Sequence, residues 1–462
     1  MRSLVLQEMK SRGLNITSLS DKTSINRGSL SAVLNGRKAL SVDYIDRITT
    51  ALGAEEGWLY NQYIEESFRD GGKLTRIRLE PLMMRCAELG KRDCIERVFD
   101  LLSEHGDTFL PIMYDVADKL QKDNNASGEA LMYEYIIKYD YDYLSDNLIY
   151  AHYRMFRLSI GRNATQDLKS IIKFEPFLDK LPDAVQLDAI LTIINLYYFH
   201  EKWKESERYS VKLTAVAERF IEARKTSQLS AEDRKPERPL IYYYGFGYLA
   251  QSSNLQKMGK YNKARLLVAG YADLSAFPII EKKTKYEIER FKLWAIGNQR
   301  TLDLLLGNES ALPDYIQFIR DNSEEEILPG LTNLSEAAVA HNYSITPVLK
   351  EFEIKVLSVK LETPADKSHF YMIMHNLAVY YINREMYKDG INCAIRGLSI
   401  AVKMDNNDFF RQIVTLFERN RNHATQEQQD SFLLALEGGD LNEKTNRRGV
   451  VRGSTVRRPA IC

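Results

Sequence analysis

The sequence predicts an all-α protein in which a few short N-terminal helices precede a long array of helical hairpins. At 462 residues the chain is too long for one compact core. Only 12 prolines and 24 glycines leave room for long uninterrupted helices, and a helical pattern recurs from Leu74 onward. The predicted domains are residues 1–65, residues 74–440 and a basic tail at 441–462.

The first two helices are predicted from their ends. Residues 3–12 form a helix that stops at Gly13, a residue type that commonly follows the C-terminus of a helix. Asn15 is a good N-cap for a second helix, which buries Leu19 and runs to about Thr23.

A third helix is predicted over residues 27–34, with Asn26 as its N-cap and Asn35-Gly36 at its end. Its apolar residues share one face, at Leu30, Val33 and Leu34. Two short helices joined by a tight turn are the signature of a helix-turn-helix. The chain has net charge zero, but residues 1–40 contain seven Lys or Arg against two acidic residues. This local excess favours contact with phosphate.

Residues 19–38, followed by a helical stretch at 42–52 and Gly53, resemble the helix-turn-helix of the phage-repressor and Cro-like family. The resemblance implies that residues 3–60 bind DNA. Val33 and Leu34 depart from the aromatic and acidic residues that the family often has there. Gly28 stands where many relatives place a side chain that reads bases.

In such a domain the N-terminal end of the third helix enters the major groove. Arg27 is the best candidate reader, because its guanidinium can bond guanine O6 and N7 together. Ser29 and Ser31 lie near base edges, whereas side chains at the start of the second helix and after the third hold phosphates. The predicted DNA-binding residues are Asn15, Thr17, Asn26, Arg27, Ser29, Ser31, Arg37 and Lys38.

Three joins in the long body share a pattern: Glu201-Lys202-Trp203, Gly259-Lys260-Tyr261 and Glu385-Met386-Tyr387. Each puts an aromatic residue at the start of a helix and a small residue three positions later, at Ser206, Ala264 and Gly390. This pattern resembles the tetratricopeptide-type hairpin and predicts a right-handed α-solenoid of degenerate repeats. Such arrays curve around a concave groove that accepts extended peptides.

Tyrosines and buried polar groups of the inner helices are the candidates for lining that groove. Two arginines three residues apart, Arg154 and Arg157, are candidates for holding a carboxylate. The predicted peptide-binding residues are Arg154, Arg157, Asn195, Tyr198, Tyr242, Asn376 and Tyr380.

A helix-turn-helix joined to such an array resembles the peptide-pheromone-responsive regulators of Gram-positive bacteria and their phages. These form the Rap, Rgg, NprR, PlcR and PrgX superfamily of quorum-sensing proteins, to which the arbitrium receptor AimR is related. The resemblance implies a homodimer that binds a double-stranded DNA operator, and a short linear peptide whose binding changes the affinity for DNA.

Other functions are less favoured. There is no phosphate-binding glycine loop, GxSxG motif or metal-ligand spacing, so neither an enzyme nor a cofactor is predicted. No signal peptide and no stretch of 18 apolar residues is present, which predicts a cytoplasmic protein without a membrane partner. The alternative is a helical-repeat protein that sequesters a protein partner, with a docking or vestigial N-terminal domain. The poor readers Gly28 and Ala32 favour that alternative.

Overall fold

A computed structural model describes residues 1–68, 75–103, 109–161, 164–226 and 235–438. The predicted basic tail at 441–462 lies outside these ranges. The described residues form helices and turns, without a strand, as predicted. None of the described helices is long and apolar enough to cross a membrane.

The chain divides into two compact units. The first contains residues 1–160 and 172–181, and the second contains residues 161–171 and those from 182 onward. The helices of the first unit are α1 (Arg2–Ser11), α2 (Ile16–Thr23), α3 (Arg27–Leu34), α4 (Val42–Ala51), α5 (Tyr60–Phe68), α6 (Arg76–Glu88), α7 (Arg92–Ser103), α8 (Leu110–Lys122), α9 (Ala126–Tyr139) and α10 (Asp146–Ser159). Helix α11 (Ala164–Leu178) begins in the second unit and ends in the first.

Side-chain caps fix the bounds of α2 and α3. Asn15 forms a capping box with Ser18, because its Oδ1 accepts from the Ser18 amide at 2.8 Å and the Ser18 hydroxyl accepts from the Asn15 amide. Asn26 Oδ1 accepts from the amide of Gly28 at 2.9 Å. Between the helices Ser24 takes a left-handed conformation, with φ of 57°. The first four helices therefore agree with their predicted bounds to within one residue.

Helices α1 to α4 pack on an apolar core that continues through the first unit as far as α10. Among the core side chains of α2, α3 and α4, those that are fully buried include Leu19, Leu30, Val33, Ile45 and Ile48. The pairs α2 with α3 and α2 with α4 are in contact. The apolar back of α3 is therefore used for packing, and its polar side is left for solvent.

The second unit consists of helices that pack in tandem. They are α12 (Asp183–Phe199), α13 (Trp203–Lys225), α14 (Leu240–Lys257), α15 (Tyr261–Ala272), α16 (Thr284–Leu305), α17 (Leu312–Asp321), α18 (Ser323–His341), α19 (Thr346–Ser358), α20 (Pro364–Ile382), α21 (Tyr387–Lys403), α22 (Asn407–Arg419) and α23 (Gln426–Leu436). Each odd-numbered helix from α13 to α21 packs on the helix before it, and successive even-numbered helices from α12 to α22 also contact one another. The even-numbered helices therefore form a continuous layer.

The three predicted joins share one turn conformation. Trp203, Tyr261 and Tyr387 begin α13, α15 and α21. Two residues earlier, the backbone is left-handed in each case, with φ of 54° at Glu201, 70° at Gly259 and 61° at Glu385. The small residues three positions into each helix are buried against the preceding helix, as predicted; Ser206 Oγ, for example, donates to the Ile194 carbonyl at 3.2 Å.

Gly390 lies where α21 closely approaches α20. A Cβ atom there would lie 2.7 Å from Ile382 Cγ1 and 3.0 Å from the Ala378 carbonyl oxygen, whose backbone cannot move independently. On the same helix, a Cβ atom at Gly397 would meet only side-chain atoms, the nearest being Ile413 Cδ1 at 3.3 Å.

We therefore expect Gly390→Ala to lower the free energy of unfolding by about 1–3 kcal/mol, the usual cost of overpacking. Gly397→Ala is the matched control and should change it by less than about 1 kcal/mol, because helix propensity favours alanine. Urea unfolding followed by circular dichroism measures both. Equal effects of the two substitutions would contradict the close approach of α20 and α21.

Candidate functional site

The start of α3 and the turn after it carry exposed cations without an acidic partner among the described residues. Arg27 is the first residue of α3, and Arg37 and Lys38 follow its C-terminus; all three side chains are exposed. Among the described residues, none of the three takes part in an ion pair. Unpaired guanidinium and ammonium groups on one surface are suited to contact phosphates and base edges.

The other predicted DNA-binding side chains differ in their exposure and in whether they already form hydrogen bonds. Thr17 is exposed, and Ser29 and Ser31 are half-buried. The side-chain oxygens of Asn15 and Asn26 are used as helix caps, so only their amide NH₂ groups remain for a ligand. The predicted role of these two asparagines in binding DNA is thus reduced by their structural role.

The local positive charge is smaller than the count of basic residues indicates. The Arg2 side chain donates to the Val33 carbonyl at 2.9 Å and pairs with Glu66, so it joins α3 to α5. Arg12 pairs with Glu8 on α1 at 2.6 Å. The unpaired cations of this segment are Lys10, Lys22, Arg27, Arg37 and Lys38.

Gly28 has a local structural reason. A Cβ atom there would lie 3.2 Å from Asn26 Oδ1, the atom that caps α3. A larger residue would therefore crowd the cap and require the Asn26 side chain to shift slightly.

A polar cluster lies where even-numbered helices of the second unit meet. Lys257 at the end of α14 pairs with Glu336 of α18, and Gln256 Nε2 donates to Asn333 Oδ1 at 3.3 Å. The Lys257 side chain is 13% exposed and that of Glu336 is 26% exposed. Side chains of α14 and α18 therefore contact each other although α16 lies between these helices in sequence.

The charges of this cluster also affect the pKa values of neighbouring groups. Burial acts to lower the pKa of Lys257, but Glu336, Tyr198 and Glu201 together outweigh it and the pKa is raised. Burial raises the pKa of Tyr198, which feels the charges of Lys257, Glu336 and Glu201. Burial and then Lys257 lower the pKa of His369 to about 4, so this imidazole is neutral at pH 7.

Residues that are far apart in the sequence also meet near this polar cluster. Gln412 Nε2 of α22 donates to Glu201 Oε2, in the join between α12 and α13, at 3.3 Å. Burial raises the pKa of the Glu201 carboxyl. The first and last even-numbered helices of the second unit are therefore linked through one polar contact.

Of the predicted peptide-binding residues on this layer, Tyr198 and Asn376 remain partly exposed and Tyr242 does not. Tyr198 is half-buried and close to the charged cluster. Asn376 is half-buried and donates to Ser335 Oγ at 3.2 Å. Tyr242 is buried, with the guanidinium groups of Arg238 and Arg290 over its ring at 4.6 and 5.3 Å.

Two others need correction. Asn195 was expected to be embedded in an apolar helix, but it is exposed, because the buried residues of this turn of α12 are its neighbours Ile193, Ile194 and Tyr197. Tyr380 is fully buried, and its hydroxyl accepts from the Ile345 amide at 3.1 Å. Tyr380 is therefore a core residue rather than part of a groove lining.

Arg154 and Arg157 belong to the first unit, whereas the other predicted peptide-binding residues belong to the second. Arg154 Nε donates to the buried Glu129 carboxylate at 2.8 Å, so that carboxylate takes the place of the predicted ligand. Arg157 donates to the Tyr153 hydroxyl at 2.7 Å.

The sequence interpretation missed two arginines of α22. Arg411 and Arg419 line a cavity of about 430 Å³ between α20 and α22, and both are exposed. Their spacing with Thr415, at intervals of four residues, places the three on one side of the helix. The four-residue spacing is visible in the sequence. The sequence does not show that α20 packs beside these residues.

Comparison with known proteins adds little to this geometry. No protein-family model matches the chain, and no curated protein is similar to it. One solved structure that aligns with it is described as a circular tandem repeat protein with novel repeat topology and enhanced subunit contact surfaces. The two are 13% identical over 97% of this chain and 99% of that one, with a TM-score of 0.18. This score carries no argument about the fold or the function.

Proposed function

We propose that this chain is a sequence-specific DNA-binding transcriptional regulator whose operator binding is controlled by a short signalling peptide. In this proposal α2 and α3 are a helix-turn-helix, and the helix pairs of the second unit are a right-handed tetratricopeptide-like solenoid that holds the peptide. The regulator acts in the cytoplasm as a homodimer.

One observation carries the DNA-binding part. Five exposed basic side chains of residues 1–40 have no acidic partner, while the opposite face of α3 is fully used in the core. A surface kept cationic at a cost in repulsion is explained by binding to phosphate. In this proposal Arg27, which is exposed at the N-terminus of α3, reaches the base edges.

The peptide-binding part is supported by the polar cluster of the second unit. Lys257, Glu336 and Asn333 provide charges and an amide beside the half-buried ring of Tyr198. A peptide backbone offers donors and acceptors that match such groups. A peptide that favours one arrangement of the even-numbered helices shifts the protein toward that arrangement by its difference in affinity for the two states.

The alternative is a helical-repeat protein that sequesters a protein partner and uses its N-terminal helices for docking. Ala32, which is half-buried on α3, favours this alternative because its side chain cannot form a hydrogen bond with a base. Gly28 also favours it, although the contact that a Cβ atom would make with the Asn26 cap gives this glycine a second, structural reason.

A mobility-shift assay on the DNA upstream of the protein's own gene tests the proposal. We expect a complex that forms about 10³-fold more tightly, or better, than on a scrambled fragment of equal length at 150 mM salt. If the two fragments bind equally, and only at low salt, the docking alternative is favoured instead.

A further inference from the structure

A groove with a cation at each end lies between α20 and α22. Its volume is about 430 Å³. Helix α20 contributes two residues and α22 contributes five, and the lining residues are His375, Val379, Arg411, Gln412, Thr415, Leu416 and Arg419.

The two arginines are free to bind a ligand. Arg411 and Arg419 are exposed, and neither forms an ion pair within the described part of the chain. The next arginine, Arg421, differs because its guanidinium is held by Glu418 at Nε and Nη2. Eight residues at a rise of 1.5 Å separate Arg411 from Arg419 by about 12 Å along the helix axis.

The groove between them is apolar and uncharged. Val379 and Leu416 supply its aliphatic surface. Burial lowers the pKa of His375, whose ring stacks on Tyr371, so the imidazole is neutral at pH 7. Gln412 is occupied, since its amide accepts from the Tyr371 hydroxyl and donates to Glu201.

Carboxylates are present near the groove but do not neutralise it. Asp408 lies three residues before Arg411 on the same helix, and no ion pair joins them. Glu201 accepts from Gln412 instead. The two guanidinium groups therefore give the groove a net positive charge.

We propose that this groove binds a short extended peptide that carries two carboxylates, one bound by Arg411 and the other by Arg419. An extended chain advances about 3.3 Å per residue, so 12 Å corresponds to carboxylates three or four residues apart. A C-terminal carboxylate and an acidic side chain satisfy this spacing, with apolar residues between them on Val379 and Leu416. Guanidinium groups bind carboxylates in a bidentate geometry, which fixes the orientation of the peptide.

This inference rests on the proposed peptide-sensing function and names the chemistry of its ligand. Through Gln412 and Glu201 the groove adjoins the polar cluster around Lys257. An occupant of the groove would therefore change contacts that link α22 to the join between α12 and α13.

The test is fluorescence anisotropy with the full chain and two pools of fluorescein-labelled pentapeptides. The acidic pool begins with aspartate, has three positions drawn from alanine, valine and leucine, and ends in leucine with a free carboxylate. The neutral pool has asparagine and a C-terminal amide instead. We expect the acidic pool to bind at least tenfold more tightly.

Substitutions of the two arginines test whether the acidic peptides bind in this groove. Arg411→Gln and Arg419→Gln should each weaken binding of the acidic pool at least fivefold. Lys403→Gln, which removes an exposed charge from α21 outside the groove, should leave it unchanged. If a glutamine variant fails to fold, Arg→Lys at the same position should give intermediate affinity, because lysine keeps the charge but loses the bidentate geometry.

Three results would overturn the inference: equal binding of the two pools, an equal effect of Lys403→Gln, or displacement of the peptide by an equal concentration of inorganic phosphate. No DNA is present in this assay, so its failure is separate from failure to bind an operator.

Discussion

Replacing Arg27 by alanine is expected to weaken operator binding by about 5- to 150-fold, which corresponds to the loss of about 1–3 kcal/mol from one bidentate contact with guanine. Arg27 is exposed at the N-terminus of α3, and no carboxylate holds its guanidinium within the described residues. Folding should be unaffected, because the side chain makes no contact that stabilises the core. Anisotropy titrations on operator and scrambled DNA measure the effect.

Comparing the operator with the scrambled fragment distinguishes sequence-specific base contacts from non-specific attraction to phosphate. Lys10→Ala is the matched control, since Lys10 is also exposed and unpaired but lies on α1. It should weaken binding to both fragments equally and by only a few-fold. If Arg27→Ala also weakens both equally, Arg27 contacts phosphate and does not read bases.

Replacing Glu336 by glutamine is expected to lower the free energy of unfolding by about 3 kcal/mol at pH 7. The Lys257 ammonium is mostly buried, and Glu336 is its partner. Without that carboxylate, burial lowers the pKa of Lys257 unopposed by its strongest neighbour, and a nearly buried charge is left uncompensated. Chemical unfolding in urea measures the loss.

A double substitution distinguishes this cause from a general loss of packing. Lys257→Met with Glu336→Leu removes both charges and keeps apolar volume, so its stability should return to within about 1 kcal/mol of the wild type. If the double variant is as unstable as Glu336→Gln alone, the ion pair is not what holds α14 near α18.

Much of the local fold was predictable because single residues determine it. Asn15 and Asn26 cap α2 and α3, and both caps were visible as asparagines before a helical pattern. The turn before Trp203, Tyr261 and Tyr387 was visible as a recurring pattern, and in all three joins the left-handed residue lies two positions before the aromatic one. Local hydrogen bonds and turn geometry depend on few neighbouring residues, so they can be predicted from the sequence.

The contacts among distant helices were not predictable in the same way. Asn195 and Asn376 both lie in apolar helices, yet Asn195 is exposed and Asn376 donates to Ser335. Arg154 had the spacing of a carboxylate site, but its carboxylate comes from Glu129 on the preceding helix. The pairing of Lys257 with Glu336 depends on how helices that are far apart in sequence pack, which no local pattern specifies.

A nuclease footprint of the DNA upstream of the protein's own gene, at 150 mM salt, tests the central claim most directly. The account predicts one protected segment made of two half-sites with centres about one helical turn apart, because two copies of α3 must enter successive major grooves of one face. Arg27→Ala should remove this protection at the concentrations where the wild type gives it. Diffuse protection without discrete half-sites, or none at all, would contradict the assignment of α2 and α3 as a sequence-reading module.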